Sequence, residues 1–460
     1  MRLVLVHPID SMDPIDLFRQ RGYNLGRSDM PNLGMLYVAS NLDKSHQVSV
    51  IDNKLERLND ENLFNKVTKQ DPDVVGFSGT IMEMEQAVSA SRLLREEGII
   101  TVYGGPNASL THEKFANDFD FIVEGEGEVT FNELLNTLEE NRDVDDIKGI
   151  CYMKPNGFKI NEPRPFIQNL DSLQFPNRDL IPLDKYPREF QGLMHSKPID
   201  VIASSRGCPF NCSFCSSRRL WQGIYRYRSA ENVEKEIVLM KEKYGTKGVF
   251  FREDNFTANR KHLLEMCEML KRQGLEWRCE SRVDTVNKEI LQKMKDSGCS
   301  SIMFGVESGS EKTLKYFRKG YAPEQAKKAV KWAKEVGMNV AISLILGAPC
   351  ETKEDIKKTI KLGFDLWPDH LYFYRFMSIP VNDTYYQMKE ENLVTLEWND
   401  WGIGRTRYLT DEQLTDLHLS ALKQYQFWKG LKNRDIKALA SWVLPLSVRK
   451  MLKRFVGGIF

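Results

Sequence analysis

An α/β fold of two successive parallel-sheet domains is what this chain predicts. An N-terminal flavodoxin- or Rossmann-like doubly wound sheet is followed by a TIM-like barrel, or part of one, and a helical tail. Three observations carry that expectation. Short β-rich runs alternate with amphipathic helical stretches from residue 2 to about 140, the alternation resumes at Ile199 with six further runs, and glycine-rich turns close several of the strands. At 460 residues the chain has room for two or three domains with substantial cores.

In the first stretch the β-rich runs are RLVLVHP (2–8), VSVID (48–52), DVVGFSGT (73–80), ITVYGG (100–105) and DFIVEGEG (120–127). Helical patterns such as ENLFNKVTK and EMEQAVSASRLLREEG separate them, the second stopped by Gly98. Residues 1–140 therefore read as a parallel sheet, which binds ligands beyond the carboxyl ends of its strands. Ser78, Thr80, Gly104, Gly105, Gly125, Glu126 and Gly127 fall at those ends and are candidate binding residues. Tight strand-to-helix turns would by themselves also account for the glycines. Residues 141–198 lose the rhythm, and LDSLQFPNRDLIPLDKYP predicts an ordered linker. The barrel spans 199–385, with runs in PIDVIASSRG, GVFFREDN, EWRCESRVD, SSIMFGVESG, MNVAISLILGAP and HLYFYRFMSIP. A helical region, 386–460, completes the chain.

Composition narrows the function. Lys+Arg 65 against Asp+Glu 64 leaves a net charge of +1, so no global field argues for a nucleic-acid partner. No run reaches the 18 apolar residues of a membrane span, and MRLVLVHPID lacks a signal-peptide pattern, so a cytoplasmic protein is expected. Between Lys423 and Arg454 nine basic residues face one acid, interleaved with Trp428, Trp442 and Phe455. Such a basic amphipathic segment, within 423–460, fits peripheral contact with an anionic membrane face; a helical cap with a solvated basic face fits equally.

The cysteines carry the chemistry. Cys208, Cys212 and Cys215 form C-x3-C-x2-C on a loop just after a β-run, a spacing that chance would give in roughly 0.2% of chains with eight cysteines in 460. A structural zinc site wants four closed ligands, commonly from two pairs, and no second pair is present in the sequence. Three thiolates suit an iron–sulfur cubane better, leaving one iron open to an exchangeable ligand.

CPFNCSFC resembles the signature of radical S-adenosylmethionine (SAM) enzymes, and the surrounding chain resembles their subgroup with an N-terminal cobalamin-binding domain. The likeness spans roughly residues 1 to 385, through YGGPNASL, DFIVEGEGE, FREDNF, CESRVD, MFGVESGS and LILGAP in order. It implies a partial (β/α)6 radical SAM barrel, a 4Fe–4S cluster on Cys208, Cys212 and Cys215, SAM on its open iron, and cobalamin in the first domain. It further implies adenine contact at Phe214, SAM contact at Glu307, and SAM or substrate contacts at Arg282 and at Glu253 or Asp254. A structural ion pair is the alternative for each of the charged residues. Arg226 and Arg228 are expected to position the segment after the cluster loop. None of the seven histidines stands in a D-x-H-x-x-G pattern, so a corrinoid with no histidine below the cobalt is expected.

The expected activity is methylation of an unactivated carbon of a lipid or natural-product precursor, with an external electron donor such as flavodoxin or ferredoxin. Radical cyclisation, dehydrogenation or dehydration without methyl transfer is the alternative, and a non-catalytic cobalamin or redox sensor is the third reading. Cys350 in LILGAPCET could donate a hydrogen atom to a product radical, although a buried free cysteine is usually a small hydrophobe.

Overall fold

The computed structural model describes residues 1–10, 30–190, 192–398 and 401–432, with no side-chain description for 82, 396–398, 401–403 and 431–432. The basic tail identified in the sequence lies largely at 433–460, outside the described residues. The chain divides into two compact units, one of residues 1–210, 216–279 and 296–299, the other of 211–215, 280–295 and 300–460.

The first unit begins with strands β1 (Arg2–His7), β2 (Gln47–Asp52), β3 (Val74–Ser78), β4 (Ile100–Gly104), β5 (Phe121–Val123), β6 (Ile150–Lys154) and β7 (Gly157–Ile160). They form one sheet in the order β2-β1-β3-β4-β5-β6-β7. The first five are parallel and match the five predicted runs. Strand order reverses between β1 and β3, the switch point at which such sheets open a ligand crevice. Alternation of side chains gives the sheet two cores. Val4, Val6, Val75, Phe77 and Tyr103 pack on one face with the helix Met84–Glu96, whereas Leu3, Leu5, Val74 and Val102 pack on the other with the helices Leu33–Ser40 and Gly127–Glu139.

Strands β6 and β7 were not expected. They lie in the stretch read as linker, yet add antiparallel to β5, turning at Pro155–Asn156. Ile150, Cys151 and Tyr152 are buried, which is what draws the hairpin onto the sheet. The rest of the linker is ordered by asparagine caps: Asn169 and Asn177 accept backbone N–H groups two residues on and start short 3-10 turns. These turns present Ile181, Leu183 and Tyr186 to Leu36 in a small core.

All six predicted barrel runs are strands: β8 (Ile199–Ile202), β11 (Gly248–Phe251), β12 (Glu276–Arg282), β13 (Cys299–Glu307), β14 (Asn339–Leu346) and β15 (His370–Arg375). A two-stranded ribbon, β9 (Ser205–Arg206) with β10 (Arg226–Tyr227), lies between the first two in sequence. The sheet runs β15-β14-β13-β12-β11-β8 without closing, hence a partial barrel. The C-terminal region is not purely helical, because β16 (Met377–Ser378), β17 (Val394–Trp398) and β18 (Trp401–Gly404) form a small antiparallel sheet ahead of the helix Asp411–Lys432. No helix among the described residues is long and apolar enough to cross a membrane.

A buried ionic group fastens the linker within the first unit. Glu236, fully buried, accepts from Arg178 Nη2 at 2.9 Å and from Arg228 Nη1 at 2.6 Å, and Arg228 also donates to the Tyr37 hydroxyl at 3.0 Å. Replacing Glu236 by alanine strands two desolvated guanidinium groups. Denaturant unfolding of Glu236→Ala should show a loss of about 3–5 kcal/mol, against little change for the exposed Glu289→Ala.

Candidate active site

A cavity of about 710 Å³ opens at the carboxyl ends of β1 to β5, walled on its far side by residues 201–207, 220–221 and 252–254, all within the first unit. It gathers Ser78, Thr80, Gly104, Gly105, Gly125, Glu126, Gly127, Glu253 and Asp254 from the sequence-predicted set. The volume falls in the range typical of ligand sites. Two glycines shape its floor. Gly105 has φ +95°, and a Cβ there would stand 3.0 Å from Ser78 Oγ; Gly125 has φ +78° with open space where a side chain would project. Backbone can therefore approach a flat ligand at these turns more closely than any side chain would permit.

Glu126 does other work than expected. Its carboxylate accepts from Arg206 Nη1 at 2.6 Å, Arg226 Nη1 at 2.7 Å and the Ile167 N–H at 2.7 Å, while Glu128 takes Arg206 Nη2 at 2.5 Å. With three donors on its two oxygens, Glu126 anchors the β9–β10 ribbon. Arg226 lies in β10 of that ribbon, and Arg228, just beyond it, donates to Tyr37, Ala203 O and Glu236. Thr80 is also engaged, donating from its N–H and hydroxyl to Glu83 Oε2 at 2.6 and 2.5 Å.

Sequence reasoning missed the polar cluster on the cavity wall. His7 Nδ1 lies 3.1 Å from Asp52 Oδ1, Tyr186 donates its hydroxyl to Asp52, and Lys54 pairs with Glu83 and, at 3.0 Å, with Asp10. Burial acts to raise the Asp52 and Glu83 carboxyls, yet His7 holds the first and Lys54 the second below the ordinary range. The only signal was positional: His7 and Asp52 end β1 and β2 beside the switch point.

Glu253 and Asp254 follow β11. Burial pushes Glu253 up to about 8, against hydrogen bonds from Ser204, and raises Asp254 against its 2.6 Å bond from Ser217. Glu253 is thus a neutral acid at pH 7, held by the Ser204 hydroxyl at 2.8 Å and by Ser205.

The cysteine loop is ordered within the second unit from Asn211 to Cys215. Ser213 N–H donates to Phe317 O at 3.1 Å and Ser213 Oγ to Tyr316 O at 2.8 Å, while Phe214 packs edge-on against Phe317 at 4.8 Å. Cys208, Cys212 and Cys215 are partly exposed and in no disulfide, and the other five cysteines are buried. That donor set, three accessible soft thiols on one short loop, fits an iron–sulfur cluster with an open iron. Arg282 Nη1 stands 3.1 Å from Cys212 Sγ, and the guanidinium is fixed by a fork to Asp284 at 2.9 and 2.8 Å. It therefore lies against one of the three loop cysteines. Glu307 ends β13 at φ +62°, a conformation unfavourable for glutamate, beside a register irregularity, and pairs with the buried Lys319 at 3.1 Å. Lys319 carried no sequence signal. Cys350 packs with Phe317 and Phe376, and burial pushes its thiol up to about 11.

Comparison with known proteins gives these parts a common origin. Residues 202–363 match the radical SAM superfamily model and 26–135 the B12 binding domain model. The chain is 34% identical over 436 residues to the uncharacterized methyltransferase PH0819 of Pyrococcus horikoshii, covering 92% of this chain and 94% of the relative. The chain belongs to the radical SAM superfamily. As a radical SAM enzyme with a B12-binding domain, it has a 4Fe–4S cluster, SAM and cobalamin as its cofactors. It is also similar to the anaerobic magnesium-protoporphyrin IX monomethyl ester cyclase of Rubrivivax gelatinosus, at 25% identity over 85% of this chain and 70% of the relative. The fold matches OxsB, a cobalamin-dependent SAM radical enzyme solved with aqua-cobalamin and SAM, at TM-score 0.73 and 18% identity over 100% of this chain and 71% of that one. It also matches the methyltransferase TsrM from Kitasatospora setae at TM-score 0.68 and 17% identity, over 85% and 78%.

The raised Glu253 has a consequence for stability. A folded-state value near 8 against an unfolded value near 4.5 gives stability that is fully present below the lower value and lost as pH rises through the upper. Unfolding free energy of the apo-protein should therefore fall between about pH 5 and pH 9, and Glu253→Gln should flatten that slope.

Proposed function

We propose that this radical SAM enzyme methylates an unactivated carbon of a small-molecule substrate, with Cys208, Cys212 and Cys215 holding the cluster and the glycine-walled cavity holding the corrinoid. The observation that carries this reading is the cavity itself: strand-end glycines line it opposite residues that lead directly into the cysteine loop. When bound, the cluster supplies the electron that cleaves SAM and the corrinoid supplies a transferable methyl group.

The chain's own residues then have definable tasks. Gly104, Gly105 and Gly125 would let backbone approach a bound corrinoid closely, and Ser78 would offer it a hydroxyl. The Arg282 guanidinium, 3.1 Å from Cys212, compensates thiolate charge and so favours an added electron at the cluster. Phe214 presents a ring beside Phe317 and Lys319 that suits adenine stacking. Glu307 offers a carboxylate to SAM hydroxyl or amino groups, its strained backbone held by the sheet. Glu253, its carboxyl raised by burial and accepting from Ser204 and Ser205, lines the cavity, and Asp254 lies next to it on the wall.

The reaction requires a small-molecule substrate and a reductant, for which flavodoxin or ferredoxin is our candidate. A lipid substrate reached through membrane contact by 423–460 belongs to the same proposal, and truncation at 423 should then abolish sedimentation with anionic vesicles.

The central test is anaerobic reconstitution with iron, sulfide and hydroxocobalamin, followed by reduction and addition of SAM. Methylation requires S-adenosylhomocysteine beside 5′-deoxyadenosine; deoxyadenosine alone would favour the cyclase-type outcome, and intact SAM would refute both. Alanine at Cys208, Cys212 or Cys215 should remove cluster absorbance and deoxyadenosine together. Gly105→Val, which forces a Cβ against Ser78 and an unfavourable φ, should lower bound corrinoid by at least about tenfold while cluster iron stays at the wild-type level.

A further inference from the structure

Away from the cavity, on the other side of the β5 strand end, three side chains from three elements converge. His112 opens the turn after the helix Pro106–Thr111, Glu124 follows β5, and Cys151 lies in β6 opposite Ile122. One ring nitrogen of His112, one Glu124 oxygen and Cys151 Sγ all lie within 4.8 Å of one another.

Protein leaves the imidazole of this group unsatisfied. His112 Nδ1 is buried without a hydrogen-bond partner. Its ring lies nearly parallel to Phe158 of β7, centroids 6.4 Å apart, which fixes its plane. Glu124 is pinned through its backbone, N–H to Gly149 O at 2.9 Å, and among the described residues its carboxylate makes no ion pair or hydrogen bond. Cys151 is fully buried. A buried imidazole nitrogen without a partner is costly, and a carboxylate and a thiol stand within reach of the ring.

We propose that His112, Glu124 and Cys151 form a zinc site, separate from the cluster cysteines, that clips the β6–β7 hairpin to the end of β5 and to the helix after β4. One divalent cation answers all three groups at once. Neutral imidazole, carboxylate and thiolate around Zn²⁺ sum to zero charge, which suits a half-buried position, and the mixed nitrogen, oxygen and sulfur set is one that zinc accepts. Binding replaces the Cys151 thiol proton, which passes to solvent. Ligand bonds of about 2.0–2.3 Å separate tetrahedral ligand atoms by about 3.3–3.8 Å, so closing the group takes roughly an ångström of side-chain rotation. Three protein ligands leave a fourth position for water.

The test uses the full chain with Cys208, Cys212 and Cys215 replaced by alanine, so that no cluster absorbs, and titrates it with Co²⁺ and then Zn²⁺. One equivalent of Co²⁺ should give an intense thiolate-to-metal charge-transfer band that Zn²⁺ abolishes. Cys151→Ser should lose the band, and His112→Gln and Glu124→Gln should each weaken binding by more than about tenfold. His195→Ala, which removes an exposed imidazole, should bind as the parent does. Because Cys151→Ser could fail to fold, the two glutamine variants decide the question, together with zinc content by mass spectrometry of the cluster-containing enzyme. Zinc absent from that enzyme, or binding unchanged in both glutamine variants, overturns the proposal.

Discussion

Two buried carboxylates, each gripped by two guanidinium groups, are the constraint on which the first unit depends. Glu126 takes Arg206 and Arg226, and Glu236 takes Arg178 and Arg228. Removing such charges from water is expensive, and the expense is offset only when every partner is in place, so the two groups assemble with the fold or not at all. Their value is specificity of position. Arg206 stands two residues before Cys208, and Glu126 stands in the last turn of the B12-binding domain, so one ion pair sets where the cysteine loop begins.

The cavity beyond this lattice follows a different logic. Its floor is backbone and glycine, its wall a polar cluster around His7, Asp52 and Lys54, and its far side holds Glu253 as an uncharged acid. The charged groups of the wall are paired with one another, so a large ligand can enter without stranding an ion. In the second unit the same economy applies around the cysteines. Arg282 is held by Asp284 and aimed at Cys212, and Lys319 is held by Glu307. The two cations sit against the loop that carries the anionic thiolates.

Where the sequence misled, the reason is local. β6 and β7 fall in the stretch that loses the strand–helix rhythm, although Asn156-Gly157 at their junction is a turn signal. Glu126 was read as a ligand because its motif ends a strand; that its carboxylate turns toward Arg206 and Arg226, residues about 80 and 100 positions away, has no trace in local pattern. Arg282 stands at a strand end where the sequence suggests a SAM or substrate contact, and its contact with Cys212, 70 residues distant, emerges only when β12 and the cysteine loop are folded. His7 and Lys319 escaped for the same reason.

What the sequence determined by itself were the features that repeat or cluster along the chain. Strand and helix periodicity gave eleven parallel strands, and one heptad-long cysteine spacing gave the cluster loop and, with its neighbouring motifs, the family. Those depend on backbone periodicity and short spacing, which are written locally. The tertiary structure alone decided which carboxylates are anchors and which are free, that Glu253 is neutral, and that His112, Glu124 and Cys151 meet. Each of these depends on desolvation and on partners brought from distant positions, and burial is a property of the folded chain, not of any segment of it.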